Sequence, residues 1–317
     1  MGSVRARYDC AMSFLSILLA LLLEQARPLS RRNPIHGLVQ TWVNWVMRNF
    51  DAGKPKHGWL AWWFALAVPS VGVVLVHWAL LWTVGWVAAA LWSVGILYLT
   101  LGFRQFSYHF TEIRDALDSG DEDLARQLLA HWMRMDASEL PRNEIVRHVI
   151  EHSILSAHRH VFGVFAWYTV LAAVGLGPAG AVVYRIGEYL YRYVHKPELP
   201  DAQPVSPAVQ ANAIKAWAVM DWIPARATAL GFAFVGSFEE AVDGWRRHEA
   251  EFPGDSDGVV LAATSGAVNV KLGPLERPGF GQEPQPVHLR AIVGLVWRTV
   301  VLWMGFLALL TLANLLS

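Results

Sequence analysis

In RNEIVRHVIEHS, residues 142–153, two histidines stand four residues apart, and that spacing puts His148 and His152 on one face of a helix. Glu144 and Glu151 lie close by. Imidazoles and carboxylates at such intervals are the material of a divalent-metal site, but a tetrahedral site needs more ligands in a recognised pattern. No metal is expected here. Just downstream, His158, Arg159 and His160 form a cationic cluster ahead of a long apolar run, with His131 shortly upstream. Such a cluster serves either as an anchor at the membrane boundary or as a site for phosphate or carboxylate. GLGPAG, residues 175–180, lacks the Gly-Lys-Ser/Thr ending that cradles a nucleotide, so helix packing is its expected role. No Ser-His-Asp arrangement can be argued from the order of residues. His77 is the one titratable residue inside an early apolar run, where a histidine is read first as a packed, hydrogen-bonded side chain.

The composition sets the medium in which these groups work. Of 317 residues 54% are hydrophobic and only 16% charged, with sixteen tryptophans and a mean hydropathy of +0.32. Soluble domains are about a quarter charged. The fold class expected is therefore all-α, a polytopic integral membrane protein with an amphipathic, charged cytoplasmic helical region, and membrane lipid is its first partner. Lys plus Arg balance Asp plus Glu at 26 each, which argues against nucleic acid. The single cysteine, Cys10, excludes an intrachain disulfide framework.

Taken in order, the chain reads as one membrane domain over 1–317. Residues 12–26 form a short apolar run behind Arg5 and Arg7, read as an uncleaved first membrane helix. The basic segment from Glu24 to Lys56 carries an apolar helical face at Leu38, Trp42, Trp45, Val46 and Phe50. Its tryptophans suit the interface, and its charge places it on the cytoplasmic side. A transmembrane hairpin is expected over 59–103, turning near Thr83 to Gly85. A polar helical region follows over 104–160, in which Asp121 caps a second helix. A third membrane helix is expected over 161–183, with a break or a close helix approach in its second half at Gly175, Gly177, Pro178 and Gly180. A re-entrant or broken helix is then expected over 217–238 because of Asp221, Pro224 and Arg226, and a last span over 291–316. Prolines 197, 200, 204 and 207 mark a surface connection.

Four stretches in this order resemble the CobD/CbiB family of membrane proteins: MDASELPRNEIVRHVIE (135–151), GPAGAVVYRIGEYL (177–190), DWIPARATAL (221–230) and ATSGAVNVKLG (263–273). The family is associated with the adenosylcobinamide-phosphate synthase step of cobalamin biosynthesis. Asp136, Leu140, Glu144, Ile145, Arg147 and Glu151 fall on its central pattern, Ala179, Gly180, Ala181, Tyr184 and Arg185 on a second, and Ile223, Pro224, Ala225 and Arg226 on a third. The resemblance implies an amide-forming ligase of the cytoplasmic (inner) membrane that joins an aminopropanol-type amine to a corrinoid carboxylate. Asp136, Glu144, Arg147 and Glu151 would form its catalytic cluster, and Tyr184, Arg185, Asp221 and Arg226 would bind substrate, the two arginines as anion-binding groups. The corrinoid is the partner implied, with ATP and Mg2+ as cofactors if the protein is an enzyme.

The chain departs from the family where two carboxylates and an amide are expected and Leu155, Arg159 and Ser156 stand instead, with His160 in place of a glycine. Reversing charge beside a reacting centre changes the chemistry there, because electrostatic stabilisation of the transition state usually contributes most to catalysis. In the same places the chain is similar to the AmpE family, membrane proteins linked to β-lactamase regulation. The alternative this implies is a non-catalytic signalling component.

Overall fold

The computed structural model describes residues 2–27, 34–195, 205–273 and 281–316, with side chains for 13–27, 37–54, 56–102, 108–195, 205–273 and 281–313. Arg31, Arg32, the Cys10 side chain, prolines 197, 200 and 204, and part of the loop expected after Leu272 lie outside these residues. The protein is all-α. Its helices are α1 (Gly2–Ala26), α2 (Pro34–Phe50), α3 (Pro55–Thr83), α4 (Trp86–Thr100), α5 (Phe103–Asp118), α6 (Glu122–Met133), α7 (Arg142–Ala157), α8 (Gly163–Ala173), α9 (Ala179–His195), α10 (Pro207–Val235), α11 (Phe238–Glu251), α12 (Ser256–Val268) and α13 (Pro286–Leu316). Among the described residues the one β feature is a bridge between Val270 and Gln282.

Among the described residues, three helical stretches are long and apolar enough to cross a membrane: Lys56–Thr83, Pro207–Val235 and Pro286–Ala313. Two shorter apolar helices, Ser13–Ala26 and Trp86–Thr100, accompany them. At 1.5 Å per residue the fifteen residues of α4 reach about 22 Å, short of a hydrocarbon core of about 30 Å. The apolar segment over 161–183 is broken in its second half, where its glycines and Pro178 implied a break or a close helix approach. The chain makes a π-helical turn at His158–Phe162, runs through α8 and breaks at Gly175 and Gly177, both at positive φ, before α9 begins. The broken helix expected over 217–238 is instead the continuous α10, with Pro224 inside it.

Where one membrane domain was expected, the chain divides into two compact units. The first comprises 1–101, 163–221 and 308–317, the second 102–162 and 222–307. In the first, α2, α3, α9 and α10 share a core that includes Val43, Val46, Ala61, Trp62, Leu190 and Ala213. Gly163 and Gly180 let α8 and α9 approach closely. A Cβ on Gly163 would strike the Tyr184 ring, and one on Gly180 would strike the Trp167 backbone. In the second unit, α7 packs against α5, α6 and α12, and α11 packs on α12. Asp121 caps α6 by accepting the Leu124 N–H at 3.0 Å.

Two long helices carry an internal proline, and each is repaired in the same way. Proline has no N–H, so the carbonyl four residues earlier loses its helical donor. Pro69 orphans Ala65 O, which accepts the Trp42 indole N–H at 3.0 Å. Pro224 orphans Met220 O, which accepts the Trp167 indole N–H at 3.0 Å. Trp42, expected at the membrane interface, is therefore bound into α3.

Candidate functional site

Pro141 stands before α7 with extended backbone, and Glu144 falls in the first helical turn, where the helix dipole favours a carboxylate. Ile145, Val149, Ile150 and Ile154 are fully buried, so the helix is held by its apolar side. Its spacing brings Glu144, Arg147 and Glu151 together. Arg147 Nε donates to Glu144 Oε2 at 3.0 Å, Nη2 bonds the same oxygen, and Nη1 lies 3.4 Å from Glu151 Oε1. All three side chains are at most 16% exposed.

A distant segment closes this cluster. The Gly273 N–H donates to Glu151 Oε1 at 2.7 Å, and Gly273 O accepts from Arg147 Nη1 at 2.7 Å. The loop after α12 thus satisfies both an acid and the arginine. Glu144 Oε1 is buried and has no hydrogen-bond partner among the described residues. Such an oxygen in a low-dielectric setting is a ready acceptor for an ammonium, an amine or a water. His148 lies 3.9 Å from Glu151, and burial, followed by the Arg147 charge, holds its pKa below the ordinary histidine value.

The remaining candidate residues are placed separately. Asp136 is exposed and accepts the Ser138 N–H and Oγ–H at 3.0 and 2.7 Å, a turn that holds its carboxyl below the usual range. In the first unit, the Tyr184 hydroxyl donates to Asp221 Oδ1 at 2.7 Å, and both residues are fully buried. Arg185 bonds Glu188 at 3.1 Å, with Arg192 2.6 Å from the same carboxylate. In the second unit, Arg226 stacks on Trp222 at 4.1 Å, donates to Trp222 O, and pairs with Glu249. That hydrogen bond is the main reason Glu249 titrates below its ordinary value. Glu249 lies in no motif, so nothing in the sequence marks it as the partner of Arg226.

The histidine-rich region proves to be largely structural in its contacts. His152 meets the Trp132 ring edge-on at 4.5 Å, and buried His158 faces Thr228 Oγ1 at 2.9 Å, in a π-helical turn of a kind often found at functional sites. Arg159, where the family pattern has an acid, pairs with Asp257 of α12. Among the described residues no group of three or more His, Cys, Asp or Glu converges as metal ligands would. The carboxylates at the cluster share one guanidinium, a donor set that does not fit Mg2+, which takes carboxylate oxygens in an octahedron completed by water and phosphate. GLGPAG is the turn between α8 and α9, with Gly177 packed on the His77 ring and Gly180 on the Trp167 backbone.

A model of the CobD/Cbib protein family matches residues 14–190. A protein of Chromobacterium violaceum named cobalamin biosynthesis protein CobD is 31% identical over 237 residues, 66% of this chain and 67% of its own. One of the same name from Stutzerimonas stutzeri is 27% identical over 315 residues, 92% and 95% of the two chains. A third, from Leptospira interrogans, is 28% identical over 197 residues, 59% of this chain and 58% of its own. No solved structure matches.

Proposed function

The chain belongs to the CobD/CbiB family, and from that membership we propose that it acts in cobalamin biosynthesis at the inner membrane, joining an aminopropanol-type amine to a corrinoid carboxylate. The observation that supports this most is the buried cluster of Glu144, Arg147 and Glu151, with one carboxylate oxygen left open. An amine attacks an acyl carbon only after losing a proton, so the site needs a base of restricted mobility. Glu144 Oε1 takes that proton while Arg147, bound to Oε2, fixes the carboxylate. Glu151, held by the Gly273 N–H, keeps Arg147 in register. A free carboxylate has no leaving group, so the corrinoid carboxylate must be activated first, as an acyl phosphate or similar mixed anhydride formed with a nucleoside triphosphate. The acyl C–O bond then breaks as the C–N bond forms, and the activating group leaves with the electron pair as an anion. Neither ATP nor Mg2+ is assigned a residue.

Complementation of a cobinamide-synthesis mutant tests this reading: the wild-type gene restores growth. Failure by a chain that inserts normally in the membrane would favour the non-catalytic, signalling alternative, which the Arg159–Asp257 pair in place of an acid supports.

A further inference from the structure

The first unit contains a polar pocket that the amide chemistry does not use. His77 of α3 is 5% exposed, and its Nδ1 has no hydrogen-bond partner among the described residues. Its ring rests on Gly177, where a Cβ would come within 2.5 Å of Cγ, so the position admits only glycine. The adjacent Trp78 indole N–H donates to Gly175 O at 2.9 Å, which fastens the α8–α9 turn to α3. Across the pocket, the Tyr168 hydroxyl of α8 stands with Ser13 of α1 and Ser93 of α4, and the Ser16 hydroxyl of α1 is buried with no hydrogen-bond partner among the described residues. All four are at least nine-tenths buried. Ser13, His77, Ser93 and Tyr168, with Gly175 and Gly177 of the turn, line a cavity of about 20 Å³.

Size and chemistry select the occupant. A cavity of this volume admits one water-sized molecule, and a site with several polar groups holds water where an apolar one stays dry. No acid lines it, so a cation would find no counter-charge. A methyl group would leave Nδ1 unsatisfied. We propose that this pocket is a binding site for a single water molecule, bridging His77 Nδ1 to the Tyr168 and serine hydroxyls and thereby joining α1, α3, α4 and α8. This inference is independent of the amide-forming reaction.

The test is a structure of the full chain in a lipid nanodisc at about 2 Å, where ordered water is visible. A peak within about 3.2 Å of both His77 Nδ1 and the Tyr168 hydroxyl is expected. An empty cavity, an acyl chain in it, or an imidazole turned onto a protein acceptor overturns the proposal. Histidine-labelled protein in micelles provides a second reading. Magnetisation transfer from water to a ring signal that disappears in His77→Phe is expected, and no transfer to that signal when it is resolved overturns it.

Discussion

At the scale of residues, function is assigned to one open oxygen. Glu144→Gln keeps the size of the side chain and removes the base, so amide formation should fall by at least about 10²-fold. The membrane level of the protein should stay unchanged, which quantitative immunoblotting checks. His148 gives a pH signature. Its folded pKa lies below the ordinary value, so the stability from its neutral form is complete above about pH 6.5 and is lost as pH falls through the folded value. Unfolding midpoints in detergent should therefore decline from pH 7 towards about pH 5, and more steeply than those of His148→Gln. Parallel curves would remove His148 from this role. The local half of the cluster is readable in the sequence, because Glu144, Arg147 and Glu151 sit at helical intervals of three and four. Its closure by Gly273 is not, since that contact spans 122 residues. Asp136 carries a local signal of its separate placement, an Asp-Ala-Ser run that forms its own turn.

At the scale of elements, each proline-containing helix depends on one tryptophan. Trp167→Phe leaves Met220 O without its indole donor and should cost about 1–3 kcal/mol in thermal unfolding. Pro224→Ala returns a backbone N–H, so the same tryptophan change should cost less in that background. The coupling in a double-mutant cycle should be at least about 0.5 kcal/mol. Trp42 with Pro69 should behave alike, and additive effects at both pairs would show that the indoles do not compensate for the prolines. These pairs also explain why α10 is hard to read from sequence. Asp221, Pro224 and Arg226 look like interruptions, but Tyr184, Trp167 and Glu249 satisfy them from elsewhere in the chain. At 161–183 the signal is local and readable: Gly175 and Gly177 interrupt the apolar run, and their positive φ ends the helix.

At the scale of the whole molecule, the charge pattern predicts an orientation. Lys54 precedes the span Lys56–Thr83 and Val84 follows it, so the two positions should lie on opposite sides of the membrane. In a chain with Cys10 replaced, a cysteine at Lys54 should react only from the cytoplasmic side and one at Val84 only from the other; the same sidedness for both would refute the span. The most direct measurement of the central claim uses membranes containing the full chain, a corrinoid acid, an aminopropanol-type amine and a nucleoside triphosphate with Mg2+, with mass spectrometry of the product. Wild-type membranes should form the amide-linked corrinoid and Glu144→Gln membranes should not, at equal protein. No amide product from the inserted wild-type protein, or equal product from both, would contradict the claim.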